Sequence, residues 1–387
     1  MRVALFSSSI DTLSGYGNIT FEFCTELQRK GIAFELFLPC KEEQRVRALS
    51  LTFPVRCILP PYFVRTNLLN VWSHFRTIDV SDFDLVHSLL DFPHCFIAAR
   101  SARTYRKPFI MGSQGTYGVM PLTYLPDRWM LRYAFRTAKR IVVPSTFTKE
   151  MIQTYAGESY PIDVIHNGVN FARFQKKVDL NVGAYGDTPL PLREQFPGKL
   201  ILLTVGNFKE RRGQDLILHA LALLKKKRSD FAYLLVGGGS YRAVLERLTD
   251  ELGLRAHVAF LGQLPGDELL RPFQACDIYV HTPRVYRLNF EGFGIVYLEA
   301  SACGKPIVAT DAGGIRDAVK DSETGIVVPD GDIPAIADAL ERLLDDPELR
   351  LQMGRVGRTY AQENDWSRIV DQFLRVYEDV FKSCNKT

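Results

Sequence analysis

The sequence predicts an α/β protein with two doubly wound domains, each built on a parallel sheet. Its 387 residues exceed one ordinary core and suit two domains of roughly 150–200 residues. Short β-branched or aromatic runs alternate with amphipathic stretches, a pattern typical of parallel sheets with helices on both faces. A stretch dense in Gly, Pro and Asn separates two such series near the middle of the chain.

Thirteen runs have the composition of buried strands. In the first half they cover residues 3–8, 34–38, 55–59, 84–88, 108–113, 140–144 and 163–166; in the second half they cover 200–205, 231–236, 258–261, 278–281, 306–309 and 326–328. Helical patterns such as 19–30, 214–227 and 241–252 lie between them. This alternation predicts open sheets that bind ligands beyond the carboxyl ends of their strands.

The same pattern gives the expected domain boundaries. We predict an N-terminal domain over 1–180, a linker over 181–198 within the turn-rich region 171–198, and a C-terminal domain over 199–365. The remaining residues, 366–387, contain Ile369, Phe373, Val376 and Val380 at helical spacing and predict one final helix.

Composition narrows the classes of function. The net charge is only +4, with a balance of +7 over residues 1–185 and −3 over the remainder. This is too little positive charge for nucleic-acid binding, while the basic half is compatible with an anionic partner. Seven scattered cysteines without a CxxC pair argue against disulfides and zinc. With no recognisable signal peptide or membrane span, we expect a cytoplasmic protein.

The most informative motif surrounds two glutamates, Glu291 and Glu299. Glu291 lies in a glycine-rich turn, and Glu299 falls eight residues later in a helix predicted to begin near Gly294. The helix N-terminus offers backbone N–H groups and a positive dipole end to a diphosphate. The alternative is an ordinary helix with one loop glutamate and one surface glutamate.

Two further glycine turns follow predicted strands. Residues 205–214 run from a strand into a helix and contain three basic side chains, which suits phosphate binding; a solvated charge cluster is the alternative. Residues 14–18 form a shortened glycine loop that lacks the full dinucleotide pattern but allows close approach of backbone to a ligand.

Together these motifs resemble the retaining glycosyltransferases of glycosyltransferase family 4, which have the GT-B architecture. The resemblance covers nearly the whole chain and is strongest over 203–341. Matching landmarks are residues 260–262, 275–277, 304–306, 313–314 and 325–329 in the second half, and 84–87, 144–145 and 166–169 in the first. It implies two Rossmann-like domains facing across a cleft that holds the active site, with the acceptor bound mainly by the first and the nucleotide sugar mainly by the second. It also implies that the helix over 366–387 crosses back to the N-terminal domain.

The resemblance also implies an activity and a set of site residues. The activity is transfer of a hexose, with retention, from a UDP-, GDP- or ADP-sugar to a hydroxyl of a lipid, glycan or small molecule, without a metal or other cofactor. Arg212 would hold the donor diphosphate, Glu299 the ribose hydroxyls and Glu291 the sugar hydroxyls. The other donor-binding positions are Gly15, Gly17, Gly206, Asn207, Lys209, Gly262, Leu264, Phe293, Gly294 and Ile295.

Two positions depart from the family pattern. Asn207 stands where the family commonly has an arginine, and Lys209 is a candidate for the missing charge. Gln114 stands where a histidine is frequent; it can donate and accept hydrogen bonds but cannot titrate. We interpret Gln114 as a catalytic-site residue that positions the sugar or the acceptor. A nucleotide-sugar-binding protein without turnover and a GT-B epimerase remain alternatives.

Two remaining segments concern metals and the acceptor. Asp82 and Asp84 form a DxD sequence, but it precedes a strand and is interpreted as the end of a loop. Arg128, Arg132, Arg136 and Arg140 are spaced four apart in a segment that also holds aromatic residues. Such a helix could lie on the inner membrane surface or receive a phosphorylated acceptor, or it could simply be a basic surface helix.

Overall fold

The computed structural model describes residues 1–12, 15–61, 72–90, 92–178 and 193–384. Ser14 of the first glycine loop and residues 181–192 of the expected linker lie outside the described residues. The chain divides into two compact units. The first comprises Met1–Asn167 and Trp366–Thr387, and the second comprises Gly168–Asp365.

The first unit contains a seven-stranded parallel sheet. Its strands are β1 Arg2–Phe6, β2 Ala33–Pro39, β3 Val55–Leu59, β4 Leu85–Ser88, β5 Phe109–Gly112, β6 Arg140–Val143 and β7 Ile162–Val164, in the order β3-β2-β1-β4-β5-β6-β7. The order reverses between β1 and β4, the switch point of a doubly wound sheet. Its described α-helices are α1 Gly15–Arg29, α2 Glu43–Leu49, α3 His94–Thr104, α4 Thr116–Val119, α5 Asp127–Thr137, α6 Thr146–Ala156 and the final helix, Trp366–Cys384.

The final helix packs into the first unit through buried aromatic contacts. Its Tyr377 hydroxyl is 2.6 Å from Nδ1 of His87 on β4, and its Phe373 ring meets Phe23 of α1 at 5.0 Å. Burial lowers the pKa of His87 to about 3, so the imidazole is neutral. This neutral ring and the Tyr377 hydroxyl therefore form a hydrogen bond inside the core.

A second buried histidine lies beside the end of β1. Nε2 of His94 donates to the carbonyl of Pro60 at 2.9 Å, so Nδ1 accepts from the hydroxyl of Ser8, also at 2.9 Å. Burial lowers the pKa of His94 to about 4. The ring is thus held neutral, with both nitrogens hydrogen-bonded.

The second unit contains a six-stranded parallel sheet of the same type. Its strands are β8 Leu200–Val205, β9 Phe231–Val236, β10 Val258–Gly262, β11 Ile278–His281, β12 Ile307–Thr310 and β13 Gly325–Val328, in the order β10-β9-β8-β11-β12-β13. Side chains along β8 alternate between two hydrophobic cores. Those of Ile201 and Leu203 lie in one core, and that of Leu202 lies in the other. Both faces are therefore covered, as the uninterrupted apolar runs predicted.

The helices of the second unit cover the two faces of this sheet. They are α7 Phe171–Phe174, α8 Gln214–Leu224, α9 Arg242–Glu251, α10 Leu270–Ala275, α11 Ile295–Ala302, α12 Ile315–Ala318, α13 Ile333–Asp345 and α14 Pro347–Glu363. The expectation of two doubly wound α/β domains is confirmed, and each predicted strand is present within two residues of its expected bounds.

The expected boundary at residue 180 differs from the observed one. Residues 168–178 group with the second unit because they pack on it: the ring of Phe174 meets that of Phe273 at 5.6 Å, and Val169 pairs with Asp365. Arg193 bonds to Asp277 at 2.8 Å, so residues 193–198 of the expected linker also belong to this unit.

The basic segment is also shorter as a helix than its arginine spacing predicted. α5 ends at Thr137 because Ala138 adopts an extended conformation (φ −68°, ψ 132°). Arg140 begins β6, pairs with Ile110 of β5 and lies 3.5 Å from Asp163. Arg128, Arg132 and Arg136 share the helix, and Arg140 does not.

Two further features of the described residues concern membrane-spanning helices and cysteines. No helix among these residues is long and apolar enough to cross a bilayer. Six cysteines are free thiols: Cys24, Cys40, Cys57, Cys95, Cys276 and Cys303.

Candidate active site

The second unit places its two main motifs on either side of the switch point of its sheet. The basic glycine turn follows β8, and the Glu291 loop follows β11, the strand hydrogen-bonded beside it. Parallel strands carry both segments to the same edge. This edge is where open α/β sheets bind ligands.

Close backbone contacts fix the basic turn in place. Gly213 has φ +71°, and a Cβ there would lie 1.7 Å from the carbonyl oxygen of Thr282, so only glycine fits. The Thr282 hydroxyl donates to the Gly213 carbonyl at 2.9 Å, and the Arg284 amide donates to the Arg211 carbonyl at 2.8 Å. The turn after β8 and the loop after β11 therefore form one rigid assembly.

The backbone of Glu291 is held in a similar way. Gly313 has φ +85°, and a Cβ there would lie 2.4 Å from the Glu291 carbonyl oxygen. The amide of Gly314 donates to that carbonyl at 2.7 Å, and Glu291 forms a parallel bridge with Gly313. The carboxylate thus projects from a fixed point.

At the centre of the assembly Arg212 pairs with Glu291. Nη1 of Arg212 bonds to Oε2 of Glu291, and Nη1 of Arg211 lies 4.0 Å from the same oxygen. The side chains of Arg212 and Glu291 are 20% and 15% exposed, so both are largely shielded from water yet reachable. Two guanidiniums against one carboxylate leave a positive balance for an anion.

His281, at the end of β11, lies beneath these charges. Burial and the charges of Arg212 and Arg211 hold the pKa of His281 well below its usual range, so the ring is neutral. Its Nδ1 has no hydrogen-bond partner among the described residues, while its carbonyl accepts from the Tyr297 hydroxyl at 3.0 Å. His281 therefore adds no charge to the site.

α11 points its N-terminus toward the Glu291 loop. Gly294 is its N-cap with φ +90°, and a Cβ there would lie 2.6 Å from the ring of Tyr297. Because glycine has no capping side chain, the positive end of the helix is open to an anion. Ile295 begins the helix, while Phe293 and Glu299 are nearly buried.

The segment before Glu291 is a small hairpin anchored at its base. Tyr286 and Asn289 exchange two backbone hydrogen bonds of 2.9 Å, with Arg287 between them at φ +56°. At the base, Arg284 pairs with Asp215 of α8. The tip is exposed, with Tyr286 63% accessible.

The remaining second-unit positions line the same edge of the sheet. Gly206 directly follows β8, and a Cβ on Gly237 would lie 1.9 Å from its carbonyl oxygen. Asn207 and Lys209 are exposed, and the carbonyl of Asn207 accepts from Gln214 at 3.2 Å. Gly262, with φ +72°, ends β10, two residues before Leu264.

The other predicted site residues lie in the first unit, at the carboxyl edge of its sheet. Gly15 and Gly17 open α1, and a Cβ on Gly17 would lie 2.2 Å from a carboxylate oxygen of Asp11. The Tyr16 and Tyr117 rings lie 6.0 Å apart, which brings this turn near α4.

Gln114 follows β5 just before α4. Its Oε1 accepts a hydrogen bond from Nδ2 of the nearly buried Asn167 at 3.0 Å. The amide is therefore held in one orientation. Its role in positioning a substrate stays a prediction.

Several residues that shape the site were not predicted from the sequence. His281, Thr282 and Asp215 have no local signature, since a single histidine, threonine or aspartate at a strand or helix end is common. The glycines Gly213 and Gly313, each in a turn of its own, were the available signal for close backbone approach.

Asp82 and Asp84 lie away from this edge. An Asp84 oxygen accepts from the amide of Arg2 at 2.7 Å, at the amino-terminal edge of the first sheet. Their interpretation as a loop end is confirmed. Among the described residues, no group of three or more His, Cys, Asp or Glu side chains could hold a metal ion.

Comparison with known proteins identifies the chain at the level of its class. Residues 13–173 match glycosyltransferase family 4, and residues 193–360 match glycosyl transferases group 1. The fold is shared with the Anabaena protein HepE, solved with UDP and glucose, at a TM-score of 0.77 and 19% identity over 98% of this chain and 100% of that one. The fold is therefore of the GT-B type, and both halves of the chain match glycosyltransferase family models.

Sequence relatives are consistent with that class. A GDP-mannose-dependent alpha-(1-6)-phosphatidylinositol monomannoside mannosyltransferase of Mycolicibacterium smegmatis is 33% identical over 61% of each chain. A D-inositol 3-phosphate glycosyltransferase of Corynebacterium aurimucosum is 31% identical over 60% of this chain and 54% of its own. The matched region thus spans little more than half of these relatives. Each half of the chain thus matches its own glycosyltransferase family model, the first half that of glycosyltransferase family 4 and the second half that of glycosyl transferases group 1.

Proposed function

We propose that this glycosyltransferase moves a hexose from a nucleoside diphosphate sugar to an acceptor hydroxyl, with retention of anomeric configuration. The observation that carries the proposal is the Arg212–Glu291 pair at the switch point of the second sheet. A guanidinium and a carboxylate held there supply complementary groups for a diphosphate and for sugar hydroxyls.

Each residue has a distinct role in the proposed reaction. Arg212, with Arg211 beside it, neutralises the departing diphosphate, and the N-terminus of α11 adds its dipole. Glu291 accepts hydrogen bonds from the sugar, and Glu299 from the ribose. Gln114 positions the sugar or the acceptor. The leaving phosphate takes the acceptor proton on the face that it departs, so no protein nucleophile is required.

We propose that the reaction needs no metal ion. Arg211 and Arg212 carry two positive charges within 4.0 Å of the same carboxylate oxygen, and the excess over that one carboxylate opposes the charge that develops on a departing nucleoside diphosphate. Preorganised donors of this kind act in transition-state stabilisation as a bound cation would. Activity retained in excess chelator would support this part of the proposal, and loss of activity that Mg²⁺ restores would overturn it.

The names of the relatives suggest which substrates to test first. The mycolicibacterial relative is named for GDP-mannose, and we propose mannose from that donor as the transferred sugar. The two sequence relatives are named for acceptors that combine inositol with phosphate. We propose an acceptor of the same anionic character, used by a cytoplasmic protein peripheral to the inner membrane surface.

The decisive experiment follows nucleotide release from UDP-, GDP- and ADP-sugars, with the unmodified chain and Glu291→Ala in parallel. We expect slow hydrolysis of one donor, reduced to a small residual rate in the variant, and faster release with an inositol phosphate acceptor. An anomeric signal in the product matching that of the donor would support retention.

Other outcomes separate the rival functions. Thermal stabilisation by a nucleotide sugar without release, even with acceptors present, would favour a binding protein. Conversion of one sugar nucleotide into another without any acceptor would favour an epimerase.

A further inference from the structure

The first unit has a groove between α3 and α5 that the proposed reaction does not use. Its cavity volume is about 540 Å³. Four arginines line it: Arg103 from α3, and Arg128, Arg132 and Arg136 from α5. We call this the α3–α5 groove.

The groove carries more positive charge than its neighbours neutralise. Arg136 forms a two-pronged ion pair with Glu158. Arg103 lies over the Tyr133 ring at 5.8 Å, Arg128 donates through Nε to the carbonyl of Leu122 at 2.5 Å, and Nε of Arg132 has no hydrogen-bond partner among the described residues. Four guanidiniums thus face one carboxylate.

Apolar side chains stand directly beside these charges. Leu125 is 74% exposed and Trp129 is 49% exposed, and both line the groove. Trp129 is held by stacking on Phe75, with ring centroids 5.8 Å apart and planes 14° apart. A fixed, half-exposed indole beside arginines is typical of proteins at the boundary between lipid headgroups and acyl chains.

The two sets of side chains lie side by side on α5 and just before it. Trp129 and Tyr133 are spaced four apart on the helix, as are Arg128, Arg132 and Arg136, and Leu125 lies two residues before the helix begins. The opposite face of α5 is core, since Met130 and Phe135 are fully buried. The exposed side chains therefore lie on a helix whose other face is fixed in the core.

We propose that the α3–α5 groove binds the phosphate groups of anionic phospholipids and thereby docks the first unit on a bilayer surface. Guanidinium groups pair with phosphate oxygens in two-pronged geometry, while Leu125 and Trp129 enter the apolar boundary beneath the headgroups. The α3–α5 groove would be the surface through which the chain contacts the membrane in the location given under the proposed function, on which this step rests. Its test needs no turnover, so its failure would leave glycosyl transfer unaffected.

The test measures partition of the full chain onto vesicles by co-sedimentation. Vesicles of phosphatidylcholine alone are compared with vesicles that also contain phosphatidylglycerol or phosphatidylinositol. We expect binding only to the anionic vesicles, weakened by 1 M salt because screening removes charge attraction. Each basic residue near an anionic surface contributes to the free energy of membrane binding. The loss of two such residues in Arg128→Ala/Arg132→Ala should therefore lower the partition coefficient about thirtyfold.

A matched control is Lys226→Ala/Arg247→Ala, which removes two exposed basic residues from the second unit. It changes net charge equally and should leave binding within twofold of the unmodified chain. Leu125→Ser, at a largely exposed position, provides a variant that folds normally and should weaken binding without altering net charge. Melting temperatures of all variants confirm folding.

Three outcomes would overturn the proposal. The first is equal binding to neutral and anionic vesicles. The second is an equal loss in the Lys226/Arg247 control, which would indicate general charge attraction. The third is binding of soluble glycerophosphate at the groove that is lost in Arg132→Ala, without any binding to vesicles. This would identify a site for a soluble phosphate ester.

Discussion

Replacing Arg212 by alanine removes the guanidinium that lies between the Glu291 carboxylate and the expected diphosphate. Its side chain is only 20% exposed and bonds to Glu291, with Arg211 the nearest substitute at 4.0 Å from the same oxygen. Removal of a preorganised donor to a developing negative charge costs about 10²–10³ in kcat. We expect that loss in donor hydrolysis and in transfer.

Arg212→Lys distinguishes charge from shape at this position. An ammonium restores the positive charge but not the planar fork that bonds to two acceptors. Part of the activity should therefore return, while the affinity for the donor stays weaker than in the unmodified chain.

Arg228→Ala is the matched control. The Arg228 side chain is 17% exposed and bonds to Asp230 and Asp345, but it precedes β9 at the opposite edge of the same sheet. It should alter stability and leave kcat unchanged. Equal kcat in Arg212→Ala and the unmodified chain would remove Arg212 from the site.

A double variant separates the two roles of Arg212. If its only effect were to orient Glu291, Arg212→Ala/Glu291→Ala would be no slower than Glu291→Ala alone. We expect the double variant to be slower, because Arg212 also contacts the leaving group.

Three further predictions concern the packing that supports the site. Gly213→Ala forces a Cβ against the Thr282 carbonyl and should lower the free energy of unfolding of the second unit by about 2–4 kcal/mol. Tyr377→Phe leaves Nδ1 of His87 unpaired and should cost the first unit about 1–3 kcal/mol. His87 and His94 have folded pKa values of about 3 and 4. Between these values and 6.5 the unfolded first unit binds more protons than the folded one, so lowering the pH from 7 to 5 should cost the first unit about 4 kcal/mol.

Chemical denaturation measures all three, and each has a control. Gly331 also has a positive φ, of +78°, but has open space around it; a loss at Gly331→Ala equal to that at Gly213→Ala would refute the steric argument. Tyr155→Phe, at a 40% exposed position, should change nothing. His87→Asn should roughly halve the pH effect, and stability that is constant from pH 7 to 5 would contradict the neutral histidines.

The sheets were predictable from sequence because buried parallel strands are uninterrupted apolar runs bounded by turn residues. Leu200–Val205 and Phe231–Val236 were predicted with their observed bounds. The strand that begins at Arg140 was predicted as well, but the end of α5 at Thr137 was not, since Ala138 carries no helix-stop signal. The arginine spacing alone therefore extended the helix too far.

The motifs of the site were predictable one by one, but their pairing was not. Arg212 and Glu291 are separated by 79 positions and meet because β8 and β11 are neighbours in the sheet. His281 had no signal at all, because its environment is made by arginines from another loop. Strand order, which the local pattern does not specify, decides which motifs meet.

The division of the first unit between the two ends of the chain has a consequence for synthesis on the ribosome. Trp366–Cys384 covers His87 and Phe23, yet it is made after the whole of Gly168–Asp365. At about 5–20 residues per second, roughly 200 intervening residues take about 10–40 s. During that interval the nascent first unit exposes the apolar surface reserved for its last helix, while the second unit can already complete its core.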